Sequence, residues 1–288
     1  MTIVVTGATG HLGRLTVEAL LRRGVPAQDI VATGRRVETL SDLADRGVTV
    51  KRADFTDPAS LAEAFVGAEK VLLVSSSEVG QRATQHANVI SAAKDAGVHL
   101  IAYTSIPKAD TSSLLLAAEH KQTEQLLANS GLPHVLLRNG WYVENYTGQL
   151  PVYLEHGIAG AAGDGKVSPA TRADLAEAAA TVLVEDGHAG KVYELGGRAV
   201  TMHEVAQAVS DAAGTPVSYH DMPVEQYTQV LAGVGLPEPV AAVFADGDRG
   251  VRDGELEVDP ADLERLLGRP ATTLHEAVKA DLAALKAA

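Results

Sequence analysis

The sequence predicts an α/β fold: a doubly wound parallel sheet with a small mixed C-terminal lobe. Three observations carry that expectation. Through residues 1–140, short β-branched runs alternate with longer amphipathic ones, the rhythm of strand–helix–strand units that close with right-handed crossovers. A glycine triplet, GATGHLG (7–13), stands between the first strand and the first helix. After Gly140 the rhythm changes and glycine- and proline-rich stretches appear.

TIVVTG (2–7) reads as a buried strand. HLGRLTVEALLRRG (11–24) reads as a helix, with Leu12, Leu15, Ala19 and Leu20 at helical spacing. IVATG (30–34) is a second strand, VETLSDLADRG (37–47) a helix stopped by Gly47, and VTVKRAD (48–54) a third strand. DPASLAEAFVG (57–67) offers Asp57 as N-cap and Pro58 in the first turn. KVLLVSSS (70–77), a helix across 79–97, HLIAYTS (99–105), a helix across 113–130 and HVLLRNG (134–140) continue the alternation. Residues 1–140 are expected to form a dinucleotide-binding domain. Residues 141–288 are expected to form a smaller substrate lobe, with a segment at about 171–197 returning to the sheet. In that lobe AGAAGDGK (159–166) is loop and TRADLAEAAATVLVE (171–185) a helix capped by Thr171. KVYELGG (191–197) is a strand, and Thr201 opens a helix to about Ala213. Pro216, Pro223, Pro237 and Pro239 are expected to break up the next stretch, before DPADLERLLG (259–268) and a helix from about Thr273.

Composition narrows the function. With 46% apolar and 21% charged residues, the chain of 288 residues can build an ordinary core. A net charge of −13, with no basic run beyond Arg22-Arg23 and Arg35-Arg36, argues against nucleic acid as a partner. No apolar run reaches the ~18 residues of a membrane span. Cysteine is absent, which excludes disulfides and thiolate metal sites and fits a reducing cytosol. MTIVVTGATG does not resemble a signal peptide, so a cytoplasmic location is expected. No pair among the ten histidines has zinc-type spacing with an acid, so no metal is expected. His86, His120 and His220 are read as surface or seam residues.

The triplet Gly7, Gly10 and Gly13 fits a Rossmann-type pyrophosphate loop. Glycine permits the tight turn, lets backbone amides approach the phosphates and lets the helix pack closely on the strand. The plain alternative is a tight strand-to-helix turn without a ligand. The end of the second strand, TGRR (33–36), has no acid for a ribose 2′-hydroxyl. Arg35 and Arg36 suit a 2′-phosphate, so NADPH is favoured and NADH expected to bind more weakly. Asp54, behind the third strand, is expected at the adenine edge. Ser75 and Ser76, behind the fourth, are expected near the nicotinamide.

GATGHLG, SSSEVGQR (75–82), IAYTS (101–105), LLRNGWYVENY (136–146), GAAGDGK (160–166) and ATRAD (170–174) together resemble the NmrA-like group of atypical short-chain dehydrogenases. The resemblance covers nearly the whole chain, and within the group it is nearest to the bacterial NAD(P)H:quinone oxidoreductases. It implies a Rossmann domain with a small C-terminal lobe, NADPH without flavin or metal, and two-electron reduction of a small planar acceptor such as a quinone. It also implies cofactor contacts from the loop of Gly7, Thr9, Gly10, His11, Leu12 and Gly13, from Arg35, from Ser75, Ser76 and Ser77, and from Asn139, Gly140, Trp141, Tyr142 and Glu144. The chain departs from typical short-chain dehydrogenases in having no Tyr-x-x-x-Lys pair. Tyr103 is followed at that distance by Pro107, and Ala117 stands four before Lys121. Ser105, at the usual catalytic Ser/Thr place, therefore lacks its partner. Ketone chemistry of the usual kind is in doubt, whereas a quinone yields a stable hydroquinone anion that water or a weak donor can protonate.

RNGWYVENY (138–146) concentrates aromatics in a chain that holds only 1 Trp, 7 Tyr and 3 Phe. Two readings stand side by side. Trp141, Tyr142, Tyr146 and Tyr153 form a wall for a planar acceptor, with Asn145 or a Tyr hydroxyl bonding its oxygen and Tyr142, Asn145 and Tyr146 as the candidate catalytic residues. Alternatively, they seal the junction between lobes. Gln81, Arg82 and Gln85 either touch the acceptor or are solvated, and Arg172 and Asp174 are expected to tie the lobes. Two rival functions remain: a non-catalytic NAD(P)-binding redox sensor, and a reductase of azo or triphenylmethane dyes.

Overall fold

The computed structural model describes residues 1–287. The strands are β1 (Ile3–Val5), β2 (Ile30–Gly34), β3 (Thr49–Arg52), β4 (Lys70–Leu73), β5 (Leu100–Ser105), β6 (His134–Asn139), β7 (Ile158–Gly160), β8 (Lys166–Val167), β9 (Val192–Leu195), β10 (Val200–Thr201) and β11 (Tyr219–Asp221). Seven of them form one sheet in the order β3-β2-β1-β4-β5-β6-β9, and every pairing in it is parallel. This is the Rossmann-type order with a seventh strand added at the β6 edge. Helices cover both faces, so inner strands such as β1, β2 and β5 are buried throughout and read as continuous apolar runs. The edge strands β3 and β9 are partly exposed.

Two cores lie on the two faces of the sheet. Leu12, Val17, Leu20, Leu175, Ala179 and Leu183 join β1 and β2 to the helices His11–Arg22 and Arg172–Val184. Phe65, Val89, Tyr103 and Leu127 fill the other face. A third cluster, with Ile106, Leu114, Tyr146, Ile158, Tyr219 and Val251, belongs to the part of the chain beyond the sheet. There β7 pairs with β11 and β8 with β10 in two small sheets. The chain after residue 140 therefore serves both bodies. Helix Arg172–Val184 and β9 join the large sheet, as do Leu263 and Leu266 of helix Ala261–Leu267.

The caps follow their sequence signals. Asp57 accepts from the amides of Ala59 and Ser60, Thr171 from Asp174, and Thr201 forms a capping box with Glu204. Two stretches differ from expectation. Residues 37–47 form a 3-10 turn, Val37–Leu40, and then a short helix, Ser41–Asp45. The proline-rich stretch is not broken: it makes the helices Val224–Gly233 and Glu238–Arg252. Pro223 and Pro237 sit at N-caps and Pro239 in a first turn, where the missing amide hydrogen would have had no intrahelical partner.

Candidate functional site

A cavity of about 470 Å³ opens at the carboxyl ends of β1, β2, β3 and β4. Gly7, Thr9, Gly10, His11, Leu12 and Gly13 form its floor, with Gly34, Arg35, Arg36, Ala53, Asp54 and Phe55 along one wall. Ser75, Ser76, Ser77 and Glu78 stand on the other wall, and Gln85, Tyr142 and Arg172 close the ring. Its position is where β1 lies between neighbours whose connections leave in opposite directions, the crevice that doubly wound sheets use for ligands.

The glycines explain the floor. Gly7 has φ +62°, a left-handed value. A Cβ on Gly13 would lie 2.5 Å from the Gly7 carbonyl oxygen and 2.9 Å from Ala8 Cα, so the helix touches the strand backbone directly. Gly10 is the N-cap of helix His11–Arg22, with no side-chain cap and no acid in the first turn. Its first amides lack intrahelical partners, and the positive end of the helix dipole faces the cavity. The residues fit a pyrophosphate: Gly7, Gly10 and Gly13 leave backbone at the free N-terminus of a helix open to the cavity. Gly34 was not singled out in the sequence. A Cβ there would lie 2.5 Å from Thr9 Cγ2, and the glycine of TGRR was the available signal. Gly13→Ala is expected to cost about 1–3 kcal/mol of stability. An unchanged urea midpoint would show that the close approach can relax without cost.

Arg35 and Arg36 project beside β2's end. Arg35 pairs with Glu78 at 2.7 Å, and Arg36 forms no salt bridge among the described residues. Asp54 accepts from both the amide (2.9 Å) and the hydroxyl (2.7 Å) of Thr56, which hold its carboxyl below the usual range. The wall behind β4 is tied down by buried polar groups. The amide of Val74 donates to Thr6 Oγ1 and that of Ser75 to Thr104 Oγ1. The amide of Ser76 donates to His86 Nε2 at 3.0 Å. Thr123 donates its own hydroxyl hydrogen to Glu119 O, so His86 Nδ1, 2.9 Å away, is the donor to Thr123. Burial drives the His86 pKa down to about 3, so the ring is neutral and this tautomer is kept. His86 and His120 are thus interior groups and not surface or seam ones. Arg82 is buried as well: it donates to Ser76 O and pairs with Glu119. Gln85 lines the cavity, and Gln81 is exposed.

RNGWYVENY is divided among several tasks. Arg138 is buried and bonds Glu124, Glu194 and Asp110. Asn139 is buried, and among the described residues neither its side-chain oxygen nor its side-chain nitrogen has a hydrogen-bond partner. Gly140 packs so tightly that a Cβ would lie 2.7 Å from Ser168 O. Trp141 lies against Gly247 of helix Glu238–Arg252. Tyr142 reaches the cavity, where the Arg172 guanidinium sits 4.4 Å above its ring centre. Burial raises the Tyr142 hydroxyl pKa. Glu144 accepts the Arg172 amide at 2.9 Å and pairs with its guanidinium at 3.6 Å, while Asn145 Oδ1 accepts from Arg172 Nη2 at 3.3 Å. Tyr146 is only 7% exposed and packs in the third cluster. Of this segment only Tyr142 lines the cavity; Asn139, Gly140, Trp141, Glu144, Asn145 and Tyr146 do not.

Arg172 carries a sequence signal of its own. A cation in a helix's first turn is mildly unfavourable, which points to a partner elsewhere. Asp174, by contrast, joins segments: it accepts from Arg269 (2.6 Å) and from the Thr272 amide (2.7 Å). Ser105 donates to Glu124 at 2.6 Å, inside the Arg138 network and off the cavity lining. Among the described residues no group of His, Cys, Asp and Glu is placed to hold a metal ion, and no helix is long and apolar enough to cross a membrane.

Comparison with known proteins places the chain. It is 51% identical over 278 residues to quinone oxidoreductase 2 of Escherichia coli K12, covering 96% of this chain and 97% of that protein. The crystal structure of an NADPH-dependent quinone oxidoreductase from Escherichia coli, complexed with NADPH, superposes with a TM-score of 0.94 at 50% identity, covering 97% of this chain and 99% of that one. The triphenylmethane reductase of Citrobacter sp., complexed with NADP(H), gives a TM-score of 0.92 at 40% identity, covering 97% and 100%. The model of the NmrA-like family matches residues 1–276, and the chain belongs to that family.

Proposed function

We propose that this chain is an NADPH-dependent reductase that transfers two electrons to quinones. The observation that carries the reading is the cavity itself: an uncapped glycine-floored helix end beside two arginines and no acid at the end of β2. The 51% identity to a quinone oxidoreductase over nearly the whole length supports the same chemistry. Gly7, Thr9, Gly10, His11, Leu12 and Gly13 hold the pyrophosphate through their backbone. Arg35 takes the 2′-phosphate, and Asp54 lies toward the adenine. Ser75, Ser76 and Ser77 face the nicotinamide end, kept in place by His86 and Arg82. NADPH would supply the hydride; the protein orients and desolvates the reactants, and water can protonate the hydroquinone anion. Tyr142 and Arg172 stand beside the acceptor. Asn139, Gly140, Trp141 and Glu144 shape the wall behind them. Glu144 and Asn145 set the position of Arg172, and Tyr146 anchors the segment to the third cluster.

The test is NADPH oxidation measured with a panel of quinones, dyes and aldehydes. Turnover of quinones with little activity on aldehydes is expected. Tight nucleotide binding without turnover of any acceptor would favour a sensor instead. Activity confined to dyes would favour the chemistry of the triphenylmethane reductase relative. Arg35→Ala is expected to weaken NADPH by about one to two decades, the worth of a charged contact of roughly 1.5–3 kcal/mol, and to leave NADH nearly unchanged. An Arg35→Ala variant that binds NADPH as tightly as the parent would overturn the 2′-phosphate assignment.

A further inference from the structure

A carboxylate stands on the cavity wall within reach of Arg35. Glu78 Oε1 accepts from Arg35 Nη1 at 2.7 Å, and Glu78 Oε2 accepts from Gln85 Nε2 at 2.8 Å. Gln85 is only 4% exposed, so this second bond is made by a side chain that is itself fixed. The Glu78 backbone is fixed too, its amide donating to Ser76 Oγ at 3.2 Å and its carbonyl accepting from the Gln81 amide at 3.2 Å. The negative charge therefore stays on the wall whether or not Arg35 holds it. Topology places it over the nucleotide floor. Because β1 lies between β2 and β4, a pair joining the end of β2 to the loop behind β4 reaches across the glycine loop.

We propose that Glu78 competes with the dinucleotide 2′-phosphate for Arg35 and so sets how strongly NADPH is preferred over NADH. The proposal rests on the NADPH site described under Proposed function. A 2′-phosphate carries close to two negative charges near neutral pH. When it docks on Arg35, the guanidinium either leaves Glu78 or holds two anions at once. Both alternatives cost NADPH affinity. NADH brings a 2′-hydroxyl instead, which a carboxylate accepts as a hydrogen bond. Glu78 thus acts against NADPH and for NADH, and the preference is narrower than Arg35 and Arg36 alone would set.

Dissociation constants for NADPH and NADH would be measured by fluorescence titration on the parent protein, Glu78→Gln, Arg35→Ala and the double variant. Glutamine keeps the shape of the side chain, and circular dichroism checks the fold. Glu78→Gln is expected to bind NADPH roughly tenfold tighter and NADH no tighter, and most of the gain should vanish when Arg35 is alanine. If Arg35→Ala weakens NADPH but Glu78→Gln changes nothing, Glu78 is a bystander and the proposal fails while the NADPH site stands. If Glu78→Gln tightens both nucleotides equally, the carboxylate obstructs entry in general and the proposal also fails. If Arg35→Ala weakens neither nucleotide, the 2′-phosphate site itself is wrong and the proposal falls with it.

Discussion

Gly10→Val is expected to abolish NADPH binding in a chain that keeps its fold. Gly10 has φ −98°, which valine adopts without strain, and the residue is exposed. A Cβ would lie 3.3 Å from Gly7 O, a tight contact with little cost to the core. The branched methyls, however, would occupy the floor from which, on the proposed reading, the helix amides reach the pyrophosphate. Losing two charged hydrogen bonds at roughly 1.5–3 kcal/mol each lowers affinity by more than about a hundredfold. Fluorescence titration with NADPH, alongside circular dichroism and thermal melting, checks this. Retained binding with an unchanged spectrum would move the pyrophosphate away from the floor.

The second large effect separates the cavity's own side chains from those that support them. Arg172→Ala is expected to lower kcat/KM for a quinone by about one to two decades, because the cation in the ring of cavity residues is lost. Tyr142→Ala should cost about tenfold, the worth of one stacking contact of roughly 1–2 kcal/mol. Tyr146→Ala should act mainly on stability, by about 3–5 kcal/mol for an emptied aromatic site, and be read in the melting temperature. Lys121→Ala should leave the kinetics unchanged, since its Nζ bonds Asp110 O at an exposed position away from the cavity lining. A Tyr146→Ala variant that folds normally but loses turnover, beside a normal Tyr142→Ala, would put the acceptor in the third cluster.

The sheet and its floor were legible because they rest on local rules. Apolar runs of strand length, helical spacing of Leu12, Leu15, Ala19 and Leu20, and caps at Asp57, Thr171 and Thr201 act over a few residues. The glycine loop is local as well, and so is TGRR, two cations with no acid beside them at the end of β2. The proline-rich stretch misled because proline ends a helix in its interior but suits its first turn. Sequence order alone does not say which of the two positions Pro223, Pro237 and Pro239 occupy.

The side of the cavity formed by Tyr142 and Arg172 was the less legible part, again for a physical reason. Nine consecutive residues of RNGWYVENY point in different directions, and their partners lie far along the chain: Glu124 for Arg138, Gly247 for Trp141, Arg172 for Tyr142 and Glu144. The sequence alone determined a parallel sheet, a glycine-lined turn between β1 and its helix, and a cationic end to β2. Tertiary structure alone decided that Tyr142 and Arg172 line the cavity, that Tyr146 is core, and that Glu78 stands beside Arg35. Those pairings join residues dozens of positions apart, and only the packed sheet brings them within bonding distance.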